Sequence, residues 1–263
     1  MLPDLKPRLE FALRIAAEAS KFIMSHYQTS GLVVERKKDS SPVTAADRGA
    51  EELIRAGIEK EFPEDAILGE ELGVKEGTSG YRWILDPVDG TKSFIHGVPL
   101  FGTLIGVEYQ GRCVIGVCRF PALNEQVYAA IGHGCWWQQG DHAPVRAKVS
   151  DVSDMKEALF CITTISGWER IGRMDAFEKL RKEVQLTRGW GDCYGHALVA
   201  TGRADVMVDP LMNPWDIAAL VPIVEEAGGA FIDWTGKVDI NAGNGCSVNA
   251  ALKGRLLQLL KKP

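Results

Sequence analysis

The sequence predicts an α+β fold in its first half and an α/β fold in its second half. Apolar residues recur at helical spacing over residues 8–27 and 43–61. Short apolar runs separated by turn residues fill residues 66–130, which indicates a mainly antiparallel sheet. From residue 159 onward, strand and helix patterns alternate.

The elements of the first half follow one another closely. The helix over 8–27 starts near Pro7, where proline is tolerated, and the helix over 43–61 ends before Pro63. Gln110-Gly111 lies between two apolar runs and predicts the turn of a hairpin. Strands are predicted at residues 33–34, 66–68, 81–85, 103–107, 113–117 and 125–130.

The second half alternates between the two element types. Strands are predicted at residues 159–163, 204–208 and 231–232, and helices at 174–182, 194–200, 215–227 and 252–260. A polar stretch near residues 145–155 separates the halves without a flexible linker. We therefore expect two packed subdomains that cover residues 1–150 and 151–263.

The composition argues against several classes of protein. The chain has 263 residues, of which 46% are hydrophobic and 25% charged, as in ordinary globular proteins. Its net charge of −5 is a poor match for nucleic-acid binding. No apolar run reaches the roughly 20 residues of a membrane helix, and the N-terminus does not resemble a signal peptide. Six scattered cysteines without zinc-ligand spacing favour free thiols in a cytoplasmic protein.

The segment Asp86-Pro87-Val88-Asp89-Gly90-Thr91 is the most informative for function. A predicted apolar strand brings two carboxylates to its C-terminal end, and Thr91 is expected to begin a short helix. Carboxylate and carbonyl oxygens suit Mg²⁺, and N–H groups at a helix start can hold a phosphate. An Asx-type turn accounts for this segment equally well when it is taken alone.

Three further acidic positions accompany this segment. Glu70 is followed by Glu71 after a short strand, Asp216 opens an apolar helix, and Asp47 lies inside the second helix. Taken singly, each fits a simpler structural role. These roles are a solvated acidic pair, a helix N-cap and an exposed helix face, respectively.

Taken together and in order, these motifs resemble the inositol monophosphatase family. The motifs are Gly69-Glu70-Glu71, the segment 86–91, and Trp215-Asp216 with a helix that ends in Glu225-Glu226-Ala227-Gly228-Gly229. The resemblance spans nearly the whole chain. It implies a layered α-β-α-β-α sandwich, a Mg²⁺-dependent and lithium-sensitive phosphomonoesterase, and assembly as a homodimer.

The resemblance also implies a role for each matching residue. It implies two or three Mg²⁺ ions, with Asp86 shared by two of them, and an attacking water oriented by Thr91 and Asp47 beside a third, weaker metal position at Glu70. The implied metal ligands are Glu70, Asp86, the carbonyl of Val88, Asp89 and Asp216. The implied catalytic residues are Glu70, Thr91 and Asp47, and the implied phosphate-binding residues are Asp89, Gly90 and Thr91. Lys38 lies near a family position that belongs to the same site.

Two segments resemble the histidinol-phosphatase branch of the family. One is Lys92-Ser93-Phe94-Ile95 with the Leu-Phe-Gly-Thr run after it, and the other is Gly191-Asp192-Cys193-Tyr194. Inositol-type members usually carry Asn in place of Ser93 and a small uncharged residue in place of Asp192. Asp209 stands where relatives place a carboxylate that contacts the leaving group.

The substrate-binding candidates are thus Asp192 and Asp209. Two carboxylates suit a leaving group with a cationic amine, which histidinol phosphate has and inositol phosphate lacks. Both residues also fit different roles, since Asp192 could cap the helix after it, and Asp209 could end a strand or accept inositol hydroxyls. The five histidines show no ligand spacing and are expected to be satisfied loop or helix residues, and Trp190 could wall the pocket.

The sequence therefore supports three hypotheses. The first is a phosphatase that hydrolyses histidinol phosphate in histidine biosynthesis. The second is an inositol-1-phosphate phosphatase or a broad-specificity phosphatase of the same fold. The third is a non-catalytic regulatory protein that binds metal or phosphate, against which the complete set of acidic motif residues argues.

Overall fold

The computed structural model describes residues 3–31, 33–37 and 41–261. Its α-helices are α1 (Lys6–Met24), α2 (Ala45–Glu61), α3 (Thr91–Ile95), α4 (Ile165–Arg170), α5 (Met174–Glu183), α6 (Asp192–Ala200), α7 (Pro214–Ile217), α8 (Leu220–Glu226) and α9 (Lys253–Leu260). Its strands are β1 (Val34–Arg36), β2 (Pro42–Thr44), β3 (Ala66–Gly69), β4 (Gly73–Lys75), β5 (Tyr81–Asp89), β6 (Gly102–Tyr109), β7 (Arg112–Phe120), β8 (Glu125–Ala130), β9 (Gly134–Gln139), β10 (Val145–Arg146), β11 (Leu159–Cys161), β12 (Leu186–Arg188), β13 (Val206–Asp209), β14 (Gly229–Ile232) and β15 (Gly245–Asn249). Within these ranges no helix has the length and apolar character needed to cross a membrane.

Most strands belong to one of two sheets. The sheet with strand order β10-β9-β8-β7-β6-β5-β3-β4 is called the large sheet, and the sheet with order β12-β11-β13-β15-β14 the small sheet. In the large sheet β3 and β5 run parallel and the other neighbours run antiparallel. In the small sheet β11 runs parallel to β12 and β13, whereas β15 runs antiparallel to β13 and β14. The predicted mainly antiparallel first half is confirmed.

Helices and sheets alternate in layers. α1 and α2 pack against β5, β6 and β7 on one face of the large sheet. α6 and α8 lie between the two sheets, because each contacts strands of both. Met207 of β13 belongs to the buried cluster around these helices, whereas Val206 and Val208 belong to the cluster around α5 and α9. The predicted α-β-α-β-α sandwich is confirmed.

The two sheets also follow each other along the chain. The large sheet uses strands between residues 66 and 146, and the small sheet uses strands between residues 159 and 249. α6 and α8 supply apolar side chains to the layer between them. The division into subdomains 1–150 and 151–263 stays a prediction.

All six cysteines are buried free thiols, as predicted.

Several predicted boundaries were wrong. The first helix ends at Met24, and the second begins at Ala45, because β2 occupies the preceding residues and Thr44 caps the helix. The first predicted strand lies at Val34–Arg36, and the strand predicted over 159–163 ends at Cys161.

The helix predicted over 215–227 is two helices, α7 and α8. Pro222 lies near the start of α8. Because proline has no N–H, it cannot donate to the carbonyl four residues earlier, that of Ala218, which stands just before α8. The break ends α7 at Ile217 and so confines Asp216 to a short helix.

Candidate active site

Strand β5 places two acidic side chains by means of a β-bulge. The predicted strand 81–85 was too short, since β5 continues to Asp89. Asp86 pairs with Leu104 of β6 and Asp89 with Gly102, so β5 holds one residue more than its partner between these pairs. Asp86 is 2% exposed, and its Oδ1 accepts the N–H of Val88 at 3.0 Å. The Asx-type turn considered from sequence is therefore present, within a larger arrangement.

A third carboxylate comes from a different part of the chain. Asp216 lies on α7, which packs against β5 and β6. Its Oδ2 accepts the N–H of Asn213 at 2.7 Å in a capping box, so Asp216 is the third residue of the helix rather than its N-cap. The capping bond fixes this carboxylate beside β5.

The three carboxylates form a compact set of oxygen donors. One carboxylate oxygen from each of Asp86, Asp89 and Asp216 lies within 4.8 Å of the others. Burial, together with repulsion from neighbouring carboxylates, raises the pKa of Asp89 and of Asp216 to about 7, and raises that of Asp86 well above its ordinary value. One buried and two partly buried carboxylates this close together fit a hard divalent cation, which would stabilise their ionised forms.

Glu70 lies close to this set and is held by a lysine. Its N–H donates to the carbonyl of Leu85 at 3.1 Å, which anchors it beside β5. Lys37 donates from Nζ to Glu70 Oε1 at 2.6 Å and also to Glu71. Burial lowers the pKa of Lys37, but its hydrogen bonds to both glutamates outweigh that effect and raise it overall. The acidic pair is thus bound to Lys37 rather than only solvated.

The side chains of Asp47 and Thr91 lie within hydrogen-bond distance of each other. Asp47 is 1% exposed, and its Oδ2 accepts the N–H and the hydroxyl of Thr44. Its Oδ1 lies 3.2 Å from Thr91 Oγ1, which also lies 3.0 Å from the carbonyl oxygen of Val88. The interpretation of Asp47 as an exposed helix residue is therefore wrong. Burial raises the pKa of Asp47, and its hydrogen bonds oppose that shift.

A cavity of about 320 Å³ opens at the start of α3, next to Glu70. Gly90, Thr91 and Glu70 line it, together with Thr163 and Asp192 from the second half. We call it the outer cavity.

Gly90 has a φ of +83° in the wall of the outer cavity, and a Cβ there would lie 3.0 Å from the carbonyl oxygen of Leu100. Glycine is required here because other residues resist this conformation and the site has no room for a side chain.

A smaller cavity of about 100 Å³ adjoins the outer one. Its lining includes the acidic residues Asp89, Asp192, Asp209 and Asp216, and His196. We call it the inner cavity. The two cavities share Thr163, Thr164 and Asp192 in their walls, so they adjoin each other between the start of α3 and the end of β13.

Asp192 lines both cavities, and its backbone is in the left-handed region. Its φ is +51°, and its N–H donates to Thr163 Oγ1 at 2.9 Å. The next N–H, that of Cys193, donates to Asp89 Oδ2 at 2.6 Å. Because α6 begins at Asp192 itself and Gly191 is the cap residue, Asp192 is not the N-cap. Burial and the nearby Asp89 and Asp209 carboxylates raise the pKa of Asp192 well above its ordinary value.

A model of the inositol monophosphatase family matches residues 4–262 of this chain. The chain belongs to the inositol monophosphatase family. It is 44% identical over 254 residues to the histidinol-phosphatase of Chlorobaculum parvum, with 96% of each chain covered. It is 38% identical over 265 residues to the histidinol-phosphatase of Streptomyces coelicolor, with 99% of each chain covered. A solved inositol monophosphatase structure from Zymomonas mobilis has a TM-score of 0.86 at 32% identity, covering 98% of this chain and 99% of that one.

These similarities confirm the predicted family and its histidinol-phosphatase branch. The inositol monophosphatase family is metal-dependent and acts on small phosphorylated substrates. The carboxylate set at β5 and α7 agrees with that chemistry.

Two residues at the site were not predicted from the sequence. Lys37 binds Glu70. The sequence pointed instead to the neighbouring Lys38, and Lys38 lies outside the described residues. His196 is a hydrogen-bonded helix histidine, as predicted, but its full burial at the wall of the inner cavity was not predicted. Trp190 is 38% exposed and lies outside the lining of both cavities.

Proposed function

We propose that the protein is a Mg²⁺-dependent phosphomonoesterase that hydrolyses L-histidinol phosphate to L-histidinol and phosphate. One observation carries the choice of substrate: Asp192 and Asp209 line the inner cavity beyond the carboxylates that form the compact donor set. The similarity to the histidinol-phosphatases of C. parvum and S. coelicolor supports the same choice.

The compact donor set of Asp86, Asp89 and Asp216, together with Glu70 and the Val88 carbonyl, would hold two or three Mg²⁺ ions. Glu70, Asp86 and the carbonyl of Val88 would hold the first, and Asp86, Asp89 and Asp216 the second. Glu70 would also contact a third, weaker ion, which requires Lys37 to release this carboxylate. When bound, the ions would lower the pKa of a water molecule and neutralise charge on the phosphoryl oxygens and the leaving oxygen.

The chain's own residues would orient the attacking water. The Thr91 hydroxyl can donate to Asp47 Oδ1 or to the carbonyl of Val88, which leaves its oxygen free to accept from a water in the outer cavity. Asp89, Gly90 and Thr91 would hold the phosphoryl group at the start of α3. Attack in line with the leaving oxygen would then direct that oxygen toward the inner cavity.

Replacing Thr91 by Ala should lower kcat roughly 10²-fold or more and raise KM much less, because an interaction that orients the nucleophile acts mainly in the transition state. Steady-state kinetics at saturating Mg²⁺ would measure both constants. Thr91→Ser is the matched control, since it keeps the hydroxyl and should retain most of the activity. An unchanged kcat in Thr91→Ala would show that Thr91 serves only to begin α3.

The inner cavity would bind the leaving group. Asp192 and Asp209 would accept charge-assisted hydrogen bonds from its ammonium group, each contributing roughly 1.5–3 kcal/mol. An ammonium group beside Asp192 would also offset the repulsion that raises the pKa of this carboxyl. A leaving group without a cation would gain neither effect.

Asp192→Asn should raise KM for histidinol phosphate by about tenfold or more, which corresponds to ~1.4 kcal/mol. Hydrolysis of glycerol phosphate, whose leaving group carries no charge, should change little. Initial-rate kinetics on both esters would test this prediction, with thermal unfolding as a check on the fold. Equal losses on both esters would show a structural role for Asp192 and would remove the main support for a cationic substrate.

Inositol 1-phosphate is the alternative substrate, because the Asp209 carboxylate could accept hydrogen bonds from inositol hydroxyls. A homodimeric assembly, a cytoplasmic location and lithium sensitivity stay predictions, as does a broad-specificity phosphatase of the same fold.

A further inference from the structure

His196 lines the inner cavity, where the leaving group is proposed to bind, and has no role in the proposed hydrolysis itself. It projects from α6, and both of its ring nitrogens have partners. Its Nδ1 lies 2.7 Å from Ser247 Oγ, and its Nε2 lies 3.3 Å from Asp209 Oδ2. His196 and Ser247 are 0% exposed, and Asp209 is 6% exposed. The ring also packs against Phe231, with centroids 5.6 Å apart.

The partners indicate which tautomer the ring adopts. The carboxylate of Asp209 can only accept, so Nε2 must carry a hydrogen for this contact to be a hydrogen bond. In a neutral ring Nδ1 then has a lone pair, which accepts the Ser247 hydroxyl hydrogen. The chain of donors runs from Ser247 through His196 to Asp209 and ends at the inner cavity.

The small sheet fixes both ends of this chain of hydrogen bonds. Ser247 lies on β15 opposite Met207 of β13, and Asp209 is the last residue of β13, opposite Gly245. His196 reaches both from α6, the helix that begins with Asp192. The carboxylate of Asp209 is therefore held through Oδ2, which leaves Oδ1 for a ligand in the inner cavity.

We propose that His196, supported by Ser247, is a positioning residue that holds the Asp209 carboxylate toward the cationic amine of the leaving group. This inference rests on the proposed function. His196 touches neither the compact donor set nor Thr91 in any hydrogen bond of the described residues, so its effect is confined to leaving-group recognition. It acts through Asp209 and not on the phosphoryl group.

The test compares His196→Leu with His196→Gln in the full chain at saturating Mg²⁺. Leu fills similar space but removes both hydrogen bonds, whereas the amide nitrogen of Gln can donate to Asp209 as Nε2 does. His196→Leu should raise KM for histidinol phosphate about tenfold with little change in kcat, and should alter kcat/KM for glycerol phosphate by no more than about twofold. His196→Gln should recover most of the loss. His133→Gln, at an exposed turn position, is the control.

Ser247→Ala provides a second route if His196→Leu fails to fold. Without the serine hydroxyl, Nδ1 loses its donor, and the ring is free to place its hydrogen on Nδ1 and turn an acceptor toward Asp209. KM for histidinol phosphate should then rise about threefold or more, again without a matching effect on glycerol phosphate.

The outcomes separate this inference from the proposed function. If wild-type protein prefers inositol 1-phosphate, the proposed function fails and the inference fails with it. If wild-type protein prefers histidinol phosphate but the folded His196 or Ser247 variants lose activity equally on both esters, or lose none, only the inference is overturned. A KM effect limited to histidinol phosphate and restored by Gln supports it.

Discussion

Asp86→Asn should lower kcat/KM by about three orders of magnitude or more, equivalent to roughly 4 kcal/mol of transition-state stabilisation. Asp86 is buried among Glu70, Asp89 and Asp216, and the resemblance assigns it to two metal ions. Asn keeps the shape of the side chain and an oxygen for the Val88 N–H, but it removes the negative charge that an ion requires.

The same substitution should leave the fold intact. Because burial and the neighbouring carboxylates raise the pKa of Asp86, removing its charge should not lower the melting temperature in the absence of Mg²⁺. Addition of Mg²⁺ should raise the melting temperature of wild-type protein by mass action and have a much smaller effect on the variant. Exposed Asp141→Asn is the control. Near-normal turnover of Asp86→Asn at saturating Mg²⁺ would contradict the assignment of Asp86 as a shared ligand.

Gly90→Ala should lower kcat/KM about 10²-fold, because small displacements of groups that position a substrate have effects of this size. The new Cβ would lie 3.0 Å from the carbonyl oxygen of Leu100 and 3.2 Å from Asp192 Oδ2. It would therefore push apart the start of α3 and the carboxylate shared by the two cavities. A left-handed conformation costs an L-residue roughly 1–2 kcal/mol as well.

Gly111→Ala separates these two effects. Gly111 has a φ of +80° but no atom within 4 Å of a Cβ, and it lies in the turn between β6 and β7. The Gly111→Ala variant should be less stable than wild-type protein because of backbone strain, but it should retain activity. Kinetics and thermal unfolding of both variants would measure the difference. Wild-type turnover in Gly90→Ala would contradict the placement of the phosphoryl group at the start of α3.

Local patterns predicted those parts of the fold that depend on neighbouring residues. The β6–β7 hairpin and β8 follow from short apolar runs and the Gln110-Gly111 turn, because strand alternation and turn chemistry act over a few residues. Strand β15 was missed, since it contains Ser247 and Asn249, whose polarity hides a strand that is buried on both faces.

The candidate site also contains some residues that the local sequence could indicate and others that it could not. Asp86, Asp89 and Gly90 could be recognised together because they adjoin one another at the end of a predicted strand. The approach of Asp216 requires α7 to pack on β5, which no local pattern indicates, so its role came from resemblance to the family. The contact of His196 with Asp209 needed the structure, since it depends on the pairing of β13 with β15.

The most direct test of the proposed function is a comparison of kcat/KM for histidinol phosphate and for inositol 1-phosphate with the purified protein and Mg²⁺. We predict that histidinol phosphate is preferred by about tenfold or more, the effect of ~1.4 kcal/mol of additional recognition. Chelation should abolish phosphate release, and added Mg²⁺ should restore it. A preference for inositol 1-phosphate would contradict the assigned substrate, and no phosphate release from either ester with Mg²⁺ present would contradict the phosphatase itself.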